Sequence, residues 1–256
     1  MDDAVPTPGL SVCMATYDGS AYVLDQLASI LAQLGPGDEV IVADDSSTDG
    51  TAEIVAGLGD ERVVLLRNDR NLGHVRTFER ALRAARGEVL FLADQDDLWV
   101  EGRVVAMVDA LDRRPVVAGN VTVFGTRTGP HTRALLASDS GAGLRNLLGI
   151  LAGRRPYFGS AMALRREVLP LLLPIPPYVE SHDVWLAMLA NLTGGVEHLE
   201  QPVLLRRLHG SNLTTPRRRG LPVVAISRLH MVRAVVAILR RRRHGAGHPA
   251  AGAPGS

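Results

Sequence analysis

Short, continuous apolar runs alternate with helical patterns along the first 100 residues. The runs have the length and the β-branched content of buried strands, and they occupy residues 10–15, 39–43, 63–67 and 89–93. The helical patterns occupy residues 22–34, 52–58 and 74–85. Strands that are apolar throughout and are separated by helices are typical of a parallel sheet with both faces covered. The sequence therefore predicts an α/β fold with a mainly parallel, Rossmann-like sheet and helices on both faces.

The second half of the chain is less regular. Its predicted helices occupy residues 100–111, 144–151 and 181–192, and its predicted strands occupy residues 116–124, 157–164 and 201–207. A loop rich in Gly, Ser and Thr is predicted over 125–143. No polar linker interrupts the pattern, so we expect one domain over 10–215, with halves 10–97 and 98–215, preceded by an arm over 1–9.

A basic amphipathic helix is predicted over 216–243, followed by a disordered tail over 244–256. Its apolar residues share one broad arc, and four arginines follow at 240–243. Such a helix can lie on an anionic membrane surface, or it can pack on the domain or on a partner protein. Arg228 and Arg233 interrupt its apolar stretch, so we do not expect it to span a membrane.

The amino-acid composition excludes several classes of function. The formal net charge is +1, so no global field marks a nucleic-acid-binding protein. The sequence contains no lysine, which excludes a Schiff-base lysine and a phosphate-loop lysine. A single Cys13 excludes a disulfide framework. The N-terminus lacks the pattern of a signal peptide, so a cytoplasmic location is the expectation.

Acidic residues follow two of the predicted strands. Asp44 and Asp45 end one strand, and Asp94, Asp96 and Asp97 follow another. Ligands of such sheets bind at the carboxyl ends of the strands. Three close carboxylates without lysine favour a divalent cation, Mg²⁺ or Mn²⁺, completed by a diphosphate. The alternative is a solvated turn that caps the next helix.

Two further turns lie at the same predicted edge. Residues 44–49 (DDSSTD) offer acids and hydroxyls to a nucleobase and a ribose, and residues 15–19 (ATYDG) offer backbone N–H groups and an aromatic ring. Helix capping and an ordinary strand-to-helix turn are the alternative interpretations.

These segments together resemble a known family. They read SVCMATYDGSAYVLDQLASI, DEVIVADDSSTDGT, NDRNLGHVRTFERAL, LFLADQDDLW, FGSAMALRREVL, SHDVWLAMLA and RRLHGSN. Their order and spacing over residues 10–215 resemble the family-2 inverting nucleotide-sugar glycosyltransferases with the GT-A fold. The segments DQDDLW and NLGHVRTFE are most similar to the bacterial rhamnosyltransferase branch, which uses dTDP-L-rhamnose.

The resemblance implies roles for individual residues on the donor side. Thr16, Tyr17, Asp18 and Asp45 would hold the nucleobase and ribose, and residues 10–97 would form the nucleotide-binding half. Asp94 and Asp96 would be the two acids of the DxD motif, with Asp94 on the nucleotide side. The implied ligands of Mg²⁺ or Mn²⁺ are Asp96, Asp97 and His209. Asp96 is the first choice, although the DQDD sequence permits Asp97.

The resemblance also implies a catalytic base. Asp183 would take the proton of the acceptor hydroxyl, and Arg206 or Arg207 would offset the charge of the leaving diphosphate. The residues implied next to the diphosphate or the acceptor in the half 98–215 are Gly159, His182 and Trp185. A helix N-terminus favours the ionised form of Asp183, whereas burial has the opposite effect on its pKa.

The expected function is transfer of a sugar from a dTDP- or UDP-linked donor, with L-rhamnose preferred, to a hydroxyl group of a glycan, a lipid-linked acceptor or a small molecule. Nucleic acid is not an expected partner, and peripheral contact with the inner face of the membrane through the basic helix is a further expectation. Two alternatives are a nucleotide-sugar-binding protein without transferase activity and a sugar-nucleotide pyrophosphorylase. The latter would need a Gly-rich basic loop after the first strand, and residues 15–22 (ATYDGSAY) do not supply one.

Overall fold

The computed structural model describes residues 9–126, 128–131, 133–209 and 220–245. The arm expected over 1–9 falls outside these residues except for Gly9. The expected tail over 244–256 falls outside them from residue 246 onward, and the last helix includes residues 244 and 245.

The first half follows the predicted alternation of strands and helices. Its strands are β1 (Leu10–Thr16), β2 (Glu39–Asp44), β3 (Val63–Arg67) and β4 (Val89–Asp94). Its helices are α1 (Val23–Leu31), α2 (Thr51–Gly57) and α3 (His74–Ala84). The four strands are parallel in the order β3-β2-β1-β4, which confirms the predicted parallel arrangement for this half.

The second half completes a mixed sheet. Its strands are β5 (Leu98–Trp99), β6 (Val116–Gly125), β7 (Gly129–Pro130), β8 (Met162–Arg165) and β9 (Glu197–Leu208). Its helices are α4 (Arg103–Leu111), α5 (Gly143–Leu151), α6 (Leu169–Leu172), α7 (His182–Thr193) and α8 (Leu221–Gly245). The order continues β4-β8-β6-β9-β5, and β8 is antiparallel to both of its neighbours. The sheet is therefore parallel only in part.

Three details of this half differ from the sequence-based prediction. The strand predicted over 157–164 begins at Met162, because residues 159–161 form a single 3-10 turn. β9 begins at Glu197 and not at residue 201; its pairing with β6 shifts register at Asn120, opposite the stretch that contains Pro202. β5 has two residues, too few to produce a recognisable pattern.

Both faces of the sheet are covered, as predicted. Successive residues of β1 point to opposite sides: Cys13 belongs to the core under α3, α5 and α7, whereas Val12 and Met14 belong to the core under α1 and α4. The sheet is thus the middle of three layers, and the carboxyl ends of its parallel strands are left open at one edge.

Helix α8 differs from the single apolar arc expected from the sequence. Ala234 and Ile238 are buried against the body of the protein, and Met231 and Val235 pack beside them. Other apolar residues of the same helix face outward and are exposed. Residues Pro222–Arg243 are long and apolar enough to cross a membrane, with a hydropathy of 1.7 over a window of which 11% is buried. Arg228 and Arg233 lie within this stretch.

Candidate active site

The carboxyl ends of β1, β2 and β4 meet at one edge of the sheet. In the strand register Thr16 lies beside Asp44, and Ala15 lies beside Asp94. The Thr16 hydroxyl donates a hydrogen bond of 2.9 Å to Asp44 Oδ2, and both side chains are buried. The acidic edge expected from the sequence is therefore present, and the Thr16 hydroxyl is engaged within the protein.

Asp45 is buried and holds the loop that leads into α3. Its Oδ1 accepts hydrogen bonds from Asn68 Nδ2 at 2.7 Å and from the Leu72 N–H at 2.8 Å. Its Oδ2 accepts a hydrogen bond from the Gly73 N–H at 2.9 Å. Both carboxylate oxygens of Asp45 thus shape the wall of the edge at which the family resemblance implies a ribose.

Tyr17 and Asp18 lie at the rim of this edge. Gln95 holds the Tyr17 backbone from both sides, since its Oε1 accepts from the Tyr17 N–H at 2.8 Å and its Nε2 donates to the Tyr17 carbonyl at 2.9 Å. Asp18 Oδ1 accepts a hydrogen bond of 2.8 Å from the Thr48 N–H, and the Asp18 N–H donates to Ser47 Oγ at 3.0 Å. The Tyr17 ring is 48% exposed, so it is presented to any molecule bound at the rim.

The predicted acids meet at this edge. Burial, together with the charges of Asp96 and Asp183, raises the pKa of Asp94 to about 7. Burial likewise raises the pKa of Asp97, with the charges of Asp94 and Asp96 adding to the effect. The four carboxyl groups therefore act on one another electrostatically, which is the condition that a bound cation relieves.

Asp97 faces inward. It is 2% exposed; its Oδ1 accepts from the Arg207 N–H at 3.0 Å, and its Oδ2 accepts from Ser160 Oγ at 3.1 Å. The charge of Asp97 acts on Arg103, a fully buried arginine whose pKa burial lowers to about 9. The Arg103 guanidinium lies 4.2 Å from the Trp99 ring centroid and donates to the Ser160 carbonyl at 2.6 Å. Asp97 thus links β9 and the 159–161 turn beneath the acidic edge.

Asp96 faces the imidazole of His209. The distance from His209 Nε2 to Asp96 Oδ2 is 2.7 Å, and the His209 ring stacks on Tyr22 with centroids 4.6 Å apart. Arg207 Nε donates to the Asp96 carbonyl at 3.1 Å, and its guanidinium lies 4.7 Å from the Phe124 centroid. The end of β9 is therefore fastened to the start of α1 at the edge where Asp96 projects.

The residues present fit a divalent cation that is held partly by substrate. A carboxylate and an imidazole within 2.7 Å of each other are suitable protein ligands for Mn²⁺, and Asp96 alone would suit Mg²⁺. No group of three or more His, Cys, Asp or Glu side chains placed to hold a metal occurs within 9–126, 128–131, 133–209 and 220–245. Diphosphate oxygens and water would have to supply the remaining positions.

Arg206 lies on the other side of the acids. Its guanidinium is 4.9 Å from the Phe158 ring centroid, and its charge lowers the pKa of Asp94. Phe158 in turn makes an edge contact of 5.0 Å with His131. Arg206 and Arg207 thus flank the acidic group from opposite sides, as their successive positions on a strand require.

Asp183 occupies the first turn of α7, directly after Ser181. Its Oδ1 accepts a hydrogen bond of 2.7 Å from the Val184 N–H and another from Ser181 Oγ. Burial nevertheless raises the pKa of Asp183, so desolvation outweighs the hydrogen bonds of the helix start. Gly159 packs closely here: a Cβ on it would lie 3.2 Å from Asp183 Cβ and 2.6 Å from His182 Nε2. The absence of a side chain at 159 therefore gives Asp183 its position.

His182 and Trp185 lie deeper. The His182 ring is 8% exposed and stacks on Phe78 at 3.9 Å, and burial lowers its pKa to about 3. Neither of its ring nitrogens has a hydrogen-bond partner in the described part of the chain. Trp185 is fully buried, and its Nε1 donates to the Leu172 carbonyl at 3.0 Å. The structure places Trp185 in the core and not among the groups at the strand ends.

Sequence reasoning missed four residues of this site. Gln95 and Ser160 are polar residues whose sequence context does not indicate a role in the site. Tyr22 is predicted only to begin a helix. Arg103 follows the acidic cluster by six residues at a position that the pattern assigns to an ordinary helix, so its burial beneath Asp97 could not be foreseen.

The fold and this edge together define a class of protein. A mixed α/β sheet with helices on both faces and acids at the carboxyl ends of its parallel strands is the architecture of GT-A type glycosyltransferases. The sequence matches the family model described as "Glycosyl transferase family 2" over residues 11–171. The chain belongs to that family, which confirms the predicted fold and enzyme class.

This chain is similar to solved structures in its fold and to curated glycosyltransferases in its sequence. The first 349 residues of S. aureus TarS, crystallised with UDP-GlcNAc, superpose with a TM-score of 0.68 at 18% identity, over 92% of this chain and 72% of that chain. An uncharacterized glycosyltransferase of Nostoc is 26% identical over 79% of this chain and 66% of its own length. The Escherichia coli β-1,3-glucosyltransferase WfaP is 28% identical over 42% of this chain and 43% of its own.

A putative teichuronic acid biosynthesis glycosyltransferase of Bacillus subtilis, TuaG, is 31% identical over 42% of this chain and 43% of its own length. The chain thus spans less than two thirds of the length of these curated relatives. The rhamnosyltransferase branch expected from DQDDLW does not appear in the names of these relatives.

Proposed function

We propose that this chain transfers a sugar from a nucleoside-diphosphate donor to a hydroxyl group of a glycan or glycoconjugate, with inversion at the anomeric carbon. The observation that carries the proposal is the meeting of Asp94, Asp96, Asp183 and His209 at one edge of the sheet. One acid there has an imidazole partner, and another lies at a helix start with a raised pKa.

The nucleotide would bind across the ends of β1 and β2. The exposed Tyr17 ring and the rim formed by Asp18 would face the base, while Thr16, Asp45 and Asp94 would form the wall behind the ribose. Because Thr16 and Asp45 are engaged within the protein, their contribution is to hold the shape of the pocket.

Asp96 and His209 would hold the divalent cation, with Asp97 supporting them from below. When bound, the cation would supply charge neutralisation to the leaving diphosphate. Arg206 and Arg207 add positive charge on either side of the same place.

Asp183 would act as the general base. Its carboxylate would take the proton of the acceptor hydroxyl as that oxygen forms a bond to the anomeric carbon, while the bond from that carbon to the diphosphate oxygen breaks. A raised pKa makes Asp183 a stronger base than an exposed aspartate. The neutral, buried His182 imidazole, next in the chain, would form part of the wall behind the acceptor on the Gly159 side.

The donor sugar has two candidates. The similarity of DQDDLW to the rhamnosyltransferase branch favours L-rhamnose from dTDP-L-rhamnose. WfaP and a second E. coli relative, WfgD, are instead named as transferring glucose from UDP-glucose to a GlcNAc-diphosphoundecaprenol. The names ExoO, a succinoglycan biosynthesis protein, and TuaG likewise favour polysaccharide biosynthesis. Peripheral attachment to the inner face of the membrane through α8 would bring the enzyme close to a lipid-linked acceptor.

A donor panel tests this function. The protein is incubated with dTDP-L-rhamnose, UDP-glucose or UDP-GlcNAc, with Mn²⁺ or Mg²⁺, and release of the nucleoside diphosphate is measured with water alone and with glycan and lipid-linked acceptors. We expect release from at least one donor, faster with acceptor and abolished by EDTA.

The same panel separates the alternatives. Parallel reactions with UTP or dTTP and a sugar 1-phosphate would reveal a pyrophosphorylase by release of pyrophosphate. Binding of a donor without release under any condition would favour a binding protein, and either result would overturn the proposal.

A further inference from the structure

The outward face of α8 is an exposed apolar stripe. Its residues recur every three or four positions, so they lie along one side of the helix. We call them the α8 stripe: Ile226, Leu229, Val232, Val236 and Leu239. Each is 40–59% exposed, although the opposite side of the same helix is packed on the body of the protein. Contiguous apolar surface of this kind marks an interaction site.

Polar contacts fix which side of α8 faces outward. Arg241 donates to the carbonyls of Leu171 at 2.7 Å and Pro174 at 2.5 Å, and its guanidinium lies 5.2 Å from the Trp185 ring centroid. Arg233 lies 4.4 Å from the Tyr178 ring centroid at the edge of the helix. The helix is therefore held by its inner side and edges, and the α8 stripe cannot turn inward without breaking these contacts.

The charge of this part of the chain is strongly one-sided. After Glu200 the sequence contains eleven arginines and no aspartate or glutamate, whereas residues 1–200 contain 17 arginines and 27 acids. Arg240 and Arg243 are exposed on α8, and no ion pair is formed by either of them within the described part of the chain. The surface that carries the α8 stripe is therefore complementary to an anionic partner.

We propose that α8 lies in the plane of a bilayer containing anionic lipids, with the α8 stripe at the boundary between headgroups and acyl chains. The arginines at its edges and end would contact the phosphates of the headgroups. An apolar face of five residues flanked by arginine is the pattern of helices that bind in this way.

A second copy of this chain fits the α8 stripe less well than a bilayer does. Arginines at 217–219 precede the helix in the sequence, and arginines at 240–243 end it. Packing of α8 on itself would therefore bring positive charge together in either orientation.

An orientation in which α8 spans the bilayer fits the structure less well than one in the plane of the bilayer. Ala234 and Ile238 are buried against the protein, and Arg241 is hydrogen-bonded to it.

The position of α8 gives the lipid contact a consequence for the proposed function. α8 packs on α7, and the first turn of α7 carries Asp183. A bilayer at the α8 stripe would lie one helix layer away from the element that carries the base, which suits a lipid-linked acceptor. That consequence rests on the proposed transfer, whereas lipid binding itself does not.

Vesicle cosedimentation of the full chain tests the proposal. The probes are phosphatidylcholine vesicles with and without phosphatidylglycerol. We expect binding that depends on phosphatidylglycerol and weakens with added salt. The double variant Leu229→Glu/Val232→Glu removes two apolar side chains from the lipid boundary. Each loss is expected to weaken vesicle binding about tenfold, so the double variant should bind about 100-fold more weakly than the wild type. Val105→Glu, at a 66% exposed position of α4, is the matched control and is expected to bind as the wild type does.

A second variant tests the charge. Arg240→Gln/Arg243→Gln is expected to weaken binding about 25-fold, at about fivefold for each arginine, and Arg113→Gln serves as its control. All variants change exposed side chains, so unfolding midpoints and release of nucleoside diphosphate from a soluble donor should be unchanged. Absence of vesicle binding by the wild type, equal loss in Val105→Glu, or a dimer that Leu229→Glu/Val232→Glu dissociates would each overturn the proposal.

Discussion

Asp183→Asn is expected to lower the rate of sugar transfer about 1,000-fold, because an amide cannot take the proton of the acceptor hydroxyl. Asparagine has the same size as aspartate, and its Oδ1 can still accept from the Val184 N–H that Asp183 Oδ1 accepts from now. The loss should therefore appear in kcat, with the affinity for the donor nucleotide nearly unchanged. Transfer rates and nucleotide affinities of the two proteins provide the measurement.

Asp112→Asn is the matched control for this substitution. Asp112 is an exposed aspartate at the end of α4 that pairs with Arg165, away from the acidic edge. We expect its rate to remain within a factor of about two of the wild type, since surface substitutions of this kind have small effects. A rate for Asp183→Asn above a tenth of the wild-type rate would contradict the role of Asp183 as base.

Asp96 and Asp97 are adjacent in sequence, yet the structure predicts opposite consequences for their loss. Asp96 faces His209 at the rim, so Asp96→Asn should weaken cation-dependent binding of a nucleoside diphosphate and leave the fold intact. Removal of groups that only hydrogen-bond to metal ligands costs about 10- to 100-fold in metal affinity, so loss of a ligand should cost at least about 100-fold.

Asp97→Asn should instead destabilise the protein. The buried Asp97 is the acid whose charge acts on the buried Arg103, so its neutralisation leaves that guanidinium without compensation. The two side chains form no ion pair in the described part of the chain, so the expected loss is that of a nearby charge and of one buried hydrogen-bond acceptor for the Arg207 N–H or Ser160 Oγ. The free energy of unfolding should therefore fall by about 1–3 kcal/mol. Urea denaturation of each variant measures the effect.

A double variant provides the control for this assignment. Arg103→Met in the Asp97→Asn background removes the uncompensated charge and should recover much of the lost free energy of unfolding. If Asp97→Asn unfolds at the wild-type midpoint while abolishing cation-dependent binding, the assignment of the two acids is reversed.

The first half of the fold could be predicted because each strand there is apolar throughout and each crossover is helical. β1, β2 and β4 start and end within one residue of the sequence-based expectation, and their register brings Thr16, Asp44 and Asp94 to one edge. The position of the acidic group followed directly from that topology.

The second half could not be predicted as well, because its pairing depends on tertiary contacts. β8 pairs antiparallel between β4 and β6, and nothing in the pattern of residues 162–165 specifies its partners. The sequence also did not predict which side of α8 is buried. Both sides of that helix are apolar, and only the packing of Ala234 and Ile238 separates the buried side from the exposed one.

The candidate site shows the same limit at the level of side chains. The acids and His209 were predicted from motif resemblance, but the inward direction of Asp97 depends on Ser160, Arg207 and Arg103, which come from three distant segments. The raised pKa of Asp183 depends on its burial, a quantity that the sequence near a helix start does not reveal.

Calorimetric titration with UDP and dTDP in the presence of Mn²⁺, repeated with EDTA, tests the central claim most directly. That claim is that the edge formed by Asp96 and His209 holds a cation together with a diphosphate. We predict binding of at least one of the two nucleotides that weakens at least about tenfold, by about 1.4 kcal/mol, when the cation is removed. Equal affinity with and without the cation, or no binding of either nucleotide, would contradict it.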